Sequence, residues 1–105
     1  MAYRILVIED DIPSQDFISM ALIDEGYEVS VTSSGIEGLQ ALSTFQPHLI
    51  LLDMRMPQMA GETFLERYKQ ATNHPVPILA MFGNGVLECR LLLLGPIHMT
   101  VPSIR

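Results

Sequence analysis

Short apolar runs recur along the chain, each followed by a polar break and then a stretch with helical spacing. Tyr3 to Ile8 is apolar and rich in branched side chains, so it reads as a strand buried on both faces. Asp10-Asp11-Ile12-Pro13-Ser14 interrupts it. Pro13 suits the first turn of a helix, and acids just ahead suit the helix dipole. Phe17, Ile18, Ala21 and Leu22 recur at helical spacing, and Gly26 ends that helix at C′. Tyr27 to Thr32 alternates as a strand does. Ser34 and Glu37 form an S-x-x-E capping box that opens a second helix, with Ile36, Leu39, Leu42 and Phe45 as its apolar stripe. Pro47 blocks its continuation. Leu49 to Leu52 is a third strand, and residues 55 to 61 form a loop punctuated by Pro57 and Gly61. A third helix turns Phe64, Leu65 and Tyr68 inward, and Pro75 and Pro77 bracket the entry to a fourth strand, Ile78 to Met81.

The resulting order, β-α-β-α-β-α-β, predicts an α/β fold with a parallel sheet and helices on both faces. Crossovers of this length are right-handed, which leaves few topologies. After Met81 the pattern changes. Gly83-Asn84-Gly85 reads as a turn, Val86 to Leu94 as a short helix stopped by Gly95-Pro96, and Ile97 to Val101 as a fifth strand. After Pro102 too few residues remain for a closing helix. With no repeat, low-complexity stretch or linker, residues 1–105 read as one domain whose part 82–105 is atypical.

Composition narrows the function classes. Of 105 residues, 49% are hydrophobic and 17% charged, enough apolar material for a sizeable core. The net charge of -6 argues against nucleic acid as a partner, because phosphate backbones need Lys and Arg, and offers no basic patch for a membrane surface. No apolar run approaches the ~20 residues of a membrane span. The amino terminus reads as a first strand rather than a signal peptide. Cys89 is the single cysteine, so neither an intrachain disulfide nor a thiolate zinc site is expected, which fits a reducing, cytoplasmic compartment.

The candidate chemistry lies where two apolar runs end. Glu9 and Asp10 close Ile5-Leu6-Val7-Ile8, and Asp53 closes Leu49-Ile50-Leu51-Leu52. Open α/β sheets place their sites at the carboxyl ends of strands, so the three carboxylates converge if those strands are neighbours. Such a cluster repels itself unless a hard divalent cation sits in it, and that cation lets a carboxylate attack an anionic phosphoryl group. Asp11 reads as a helix cap and the Arg55 side chain as solvated. His48, His74 and His98 show no ligand spacing, and the first two read as surface-loop residues.

In the order and spacing of ILVIEDD (5 to 11), EGYEV (25 to 29), HLILLDMRMPQMAG (48 to 61) and VPILAM (76 to 81), the chain resembles a response-regulator receiver domain of the two-component systems. The resemblance implies a flavodoxin-like, doubly wound parallel sheet with strand order 2-1-3-4-5, here with the last helix missing. It puts the phosphoacceptor on Asp53 and a Mg²⁺ site on Asp10, Asp53 and the backbone carbonyl of Arg55, with Glu9 acting through water. It also implies a sensor histidine kinase or phosphotransfer protein as partner, and a signalling module rather than an enzyme.

The chain departs from the family pattern at its switch positions. Receivers end the fourth strand with Ser or Thr, where this chain has Phe82. They carry a Lys before a Pro after the fifth strand, and Val101 aligns there. The aromatic switch position falls on His98. Without a last helix, a homodimer or domain swap is expected to cover the exposed face of the sheet. The leading expectation is a phosphoacceptor module of a His-to-Asp relay with no output domain. The alternative is a pseudo-receiver that serves protein interaction without phosphorylation switching. An aspartyl phosphatase of the haloacid-dehalogenase kind is disfavoured, since Arg55 stands where its second acid belongs. A flavodoxin is disfavoured by Glu9-Asp10-Asp11 in place of a phosphate loop.

Overall fold

The computed structural model describes residues 2–55, 61–72, 76–82 and 88–92. Of residues 61, 62, 82 and 88–92 it describes the backbone alone. The elements are β1 (Arg4–Ile8), α1 (Ile12–Asp24), β2 (Glu28–Thr32), α2 (Gly35–Phe45), β3 (Leu49–Asp53), α3 (Gly61–Ala71), β4 (Ile78–Phe82) and β5 (Glu88–Leu92).

One sheet runs β2-β1-β3-β4-β5, and its first four strands stand in the expected flavodoxin-like order 2-1-3-4. Strands β1 to β4 are parallel. Because β1 and β3 are buried on both faces, their sequences are continuous apolar runs. Alternate residues feed two cores. Leu6, Ile8, Ile50, Leu52 and Ile78 pack under Phe64 and Tyr68 of α3 and the partly buried Leu39, Leu42 and Phe45 of α2. Ile5, Val7, Leu49, Leu51 and Met81 pack under Ile18 and Leu22 of α1.

The helix ends follow local chemistry. Asp11 caps α1, its Oδ2 accepting from the Ser14 amide at 3.0 Å and the Ser14 hydroxyl at 2.6 Å. Gly26, with φ of 93°, adopts the left-handed conformation that ends α1. Ser34 caps α2 through the Glu37 amide at 3.1 Å, while Glu37 Oε1 accepts from Ser33 N at 3.3 Å.

The helix faces are narrower than the apolar spacing predicts. Phe17 is 68% exposed and Ile36 51%. Ala21 is exposed as well. Against the sheet α1 buries the i, i+4 pair Ile18 and Leu22, and Phe17 and Ala21 fall outside that stripe. Helix α2 turns Gly35 and Gly38 to the sheet, which places Ile36 about 100° round the axis from the first and about 160° from the second. A Cβ on Gly38 would meet Ile8 Cδ1 at 2.5 Å, so any larger residue here forces the buried Ile8 side chain to shift. His48 lies in the loop between α2 and β3, as expected, but is half-buried there. Its Nδ1 accepts from Arg4 N at 2.9 Å, and its ring meets Tyr3 edge-on at 5.4 Å.

The end of the sheet differs from expectation. Residues 88–92, placed by sequence within a helix from Val86 to Leu94, form β5 antiparallel to β4, with Phe82 opposite Glu88 and Ile78 opposite Leu92. A parallel return needs a connection of roughly a dozen residues or more, and five residues between the strands are too few for it, so β5 returns antiparallel. No helix follows β4 among the described residues. The fifth strand expected at Ile97 to Val101 lies outside them.

Candidate phosphoryl and metal site

The register of the central strands assembles the site. Ile8 stands opposite Leu52, so the next residues, Glu9 and Asp53, emerge side by side at the carboxyl edge. Asp53 is level with Met81 of β4, and the Met54 amide donates to the Met81 carbonyl at 3.0 Å. Glu9 is tied to β2 through its amide, which donates to Thr32 O at 3.0 Å. Gln15 Nε2 donates to Glu9 O at 2.6 Å and to Ser33 Oγ at 3.2 Å, binding the loop after β1 to the loop after β2.

The expected acids come together. One carboxylate oxygen from each of Glu9, Asp10 and Asp53 lies within 4.8 Å of the others. Glu9 and Asp53 are each 2% exposed, whereas Asp10 is exposed. Burial pushes the Glu9 carboxyl up to about 7 from 4.5, helped by hydrogen bonding to the Asp53 carboxyl and by its charge, and opposed by the Asp11 amide that donates to Glu9 Oε2 at 3.1 Å. Two buried acids in contact repel each other when both are ionised, and a bound cation relieves that repulsion. The donors are hard oxygens, which suit a small divalent cation.

The side chain of Arg55 was the residue missed by sequence reasoning. It is not simply solvated. Its Nε lies 3.2 Å from Asp53 Oδ1, and its backbone amide donates to the same oxygen at 2.9 Å. The available signal was its position two residues beyond a strand-terminal acid, where a turn can fold back. Asp11 is held below the usual carboxylate range, chiefly by the Ser14 hydroxyl and amide and further by the charge of Arg55. Glu9, Asp10, Asp11, Ser14, Asp53 and Arg55 line one open cavity of about 390 Å³.

The degenerate positions are only partly described. Phe82 ends β4, one residue past the partner of Asp53, so its backbone stands at the level of the site. His98 and Val101 lie outside the described residues. No described helix is long and apolar enough to cross a membrane.

Comparison with known proteins agrees with this geometry. The sequence matches the family profile described as "Response regulator receiver domain" over residues 5–92. It is 35% identical over 97 residues to the chemotaxis protein CheY of Treponema pallidum, covering 89% of this chain and 67% of that one. It is 33% identical over 92 residues to the transcriptional regulatory protein CpxR homolog of Haemophilus influenzae, covering 88% of this chain and 40% of that one. The chain thus spans two thirds of the chemotaxis protein but well under half of the transcriptional regulator. The N-terminal domain of a response regulator receiver protein from Methanoculleus marisnigri aligns with a TM-score of 0.74 at 35% identity, over 82% of this chain and 71% of that one. With its sheet order, its acidic cluster and these matches, the chain belongs to the response-regulator receiver domain family.

Proposed function

We propose that this chain is the phosphoacceptor module of a His-to-Asp relay, with Asp53 as the residue that takes the phosphoryl group. The observation that carries this reading is the burial of Asp53 at the carboxyl edge of the central strand, within 4.8 Å of Glu9 and Asp10. Asp10, Asp53 and the Arg55 backbone carbonyl would hold Mg²⁺, with Glu9 oriented towards the same ion through water. Mg²⁺ supplies neutralisation of the charge that otherwise keeps a carboxylate and an anionic phosphoryl group apart. An Asp53 oxygen forms the new P–O bond while the bond from phosphorus to the donor breaks, its electron pair leaving with the donor. With acetyl phosphate as donor, acetate departs and an acyl phosphate remains. The Asp11 cap and the Gln15 bonds hold the β1–α1 loop, and with it Glu9 and Asp10, while this occurs.

The physiological donor in this reading is a sensor histidine kinase or a phosphotransfer protein. A second copy, or a swapped segment, covers the face of the sheet that has α1 as its one described helix, and molar mass in solution tests that part. The relay itself is tested by incubating the protein with acetyl phosphate and Mg²⁺ and weighing it intact. The expected result is a gain of one phosphoryl group that is lost in Asp53→Asn and on chelating the metal. An unmodified wild-type protein would instead favour a pseudo-receiver, for which Phe82 and Val101 are the sequence argument.

A further inference from the structure

We propose that the Arg55 guanidinium is a tethered cation of the acidic cavity, pairing with Asp53 in the metal-free protein and with the phosphoryl oxygens once Asp53 is loaded. This deepens the proposed function and rests on it for its second half.

The cavity argues for the first half. Among its described lining residues, four acids (Glu9, Asp10, Asp11 and Asp53) face one cation, Arg55. The Asp53 side chain is 3% exposed and that of Arg55 44%, so the guanidinium reaches inward from the rim while its outer edge stays in water. Both Arg55 bonds land on Oδ1 of Asp53. A divalent ion that uses Asp53 must therefore compete with a cation already bonded to that carboxylate. Because the pair is partly exposed, the competition is modest and the side chain is free to swing.

The second half follows from charge. An acyl phosphate on Asp53 brings new anionic oxygens into the mouth of the same cavity. A guanidinium is permanently charged and presents planar donors matched to phosphate oxygens. The other described basic side chains lie elsewhere. Arg4 bonds Phe45 O and Gln46 O at 3.0 and 2.9 Å, beyond the opposite ends of the strands, and Arg67 and Lys69 belong to α3. Phe82 carries no hydroxyl and Val101 no charge, so among the described basic side chains Arg55 is the one placed to supply donors at the loaded aspartate.

The test uses the full chain, with Arg55→Ala and Arg55→Lys beside the wild type, each checked for native circular dichroism. Mg²⁺ affinity is read by calorimetry, and phosphoryl incorporation from acetyl phosphate is read by mass at saturating Mg²⁺. Arg55→Ala should bind Mg²⁺ about two- to fivefold more tightly, the range for losing a partly exposed ion pair. It should take up the phosphoryl group at least about tenfold more slowly, as expected for a lost charged donor. Arg55→Lys should lie between on both measures. Opposite movements of the two readouts are what a merely structural role would not produce. Unchanged or weaker Mg²⁺ binding in Arg55→Ala overturns the first half. Unchanged labelling, with the wild type labelled, overturns the second while leaving the proposed function standing. A wild type that takes no phosphoryl group removes the second half together with that function, and the calorimetry still decides the first.

Discussion

Glu9 carries the pH dependence of the site. Its carboxyl is pushed up to about 7 from 4.5 in the folded chain, so between these values the folded state binds more protons than the unfolded one. Stability from this group is therefore full below pH 4.5 and is lost as the pH rises towards 7, with little further change above. The metal-free protein should show this slope in its thermal midpoint, and Glu9→Gln should flatten it because the amide has no charge to bury. An equal slope in wild type and Glu9→Gln would assign the effect to other groups. Added Mg²⁺ should raise the midpoint more at pH 8 than at pH 5.5, since a cation needs the deprotonated carboxylates. At this scale the sequence was largely legible: Glu9, Asp10 and Asp53 each close an apolar run, and Asp11 stands before a proline in a helix start. The Arg55 side chain was not, because its direction depends on a charge supplied by the preceding strand.

At the scale of elements, the capping signals and the packing faces were legible to different degrees. Ser34 and Glu37 announce the start of α2 through local hydrogen bonds, so S-x-x-E sufficed. Ser34→Ala should cost about 1 kcal/mol. Gly38 gives no such signal. It sits where α2 crosses Ile8, which is fully buried and cannot yield easily. Gly38→Val should cost about 3 kcal/mol by overpacking, more than the few tenths gained from helix propensity. Chemical denaturation should therefore rank Gly38→Val as the less stable of the two, and the reverse order would show that α2 shifts outward at little cost. The exposed Phe17 and Ile36 make the same point: a 3.6-residue period shows that a helix has an apolar arc, while the neighbouring sheet selects the part that is buried.

Across the whole molecule, β1 and β3 are each paired on both sides, and their residues carry most of the core. Their amides should exchange with solvent through global unfolding alone, ahead of which the edge strand β2 opens, and hydrogen-exchange mass spectrometry reads this directly. Saturating Mg²⁺ at 100 times its dissociation constant should add about 2.7 kcal/mol to the protection of the β1 and β3 amides. Faster exchange in β3 than in β2 would contradict the strand order. The sequence by itself determined the βα units, the caps and the acids at the strand ends, because periodicity, capping and turn chemistry act within a few residues. That β3 lies beside β1 came from the family resemblance and not from any local pattern, and the tertiary structure realises it by bringing Asp53 to Glu9 and Asp10. It alone turned Arg55 onto Asp53 and sent β5 back antiparallel. These outcomes depend on which distant segments meet, and no local pattern encodes the energy of a contact between residues that far apart in the chain.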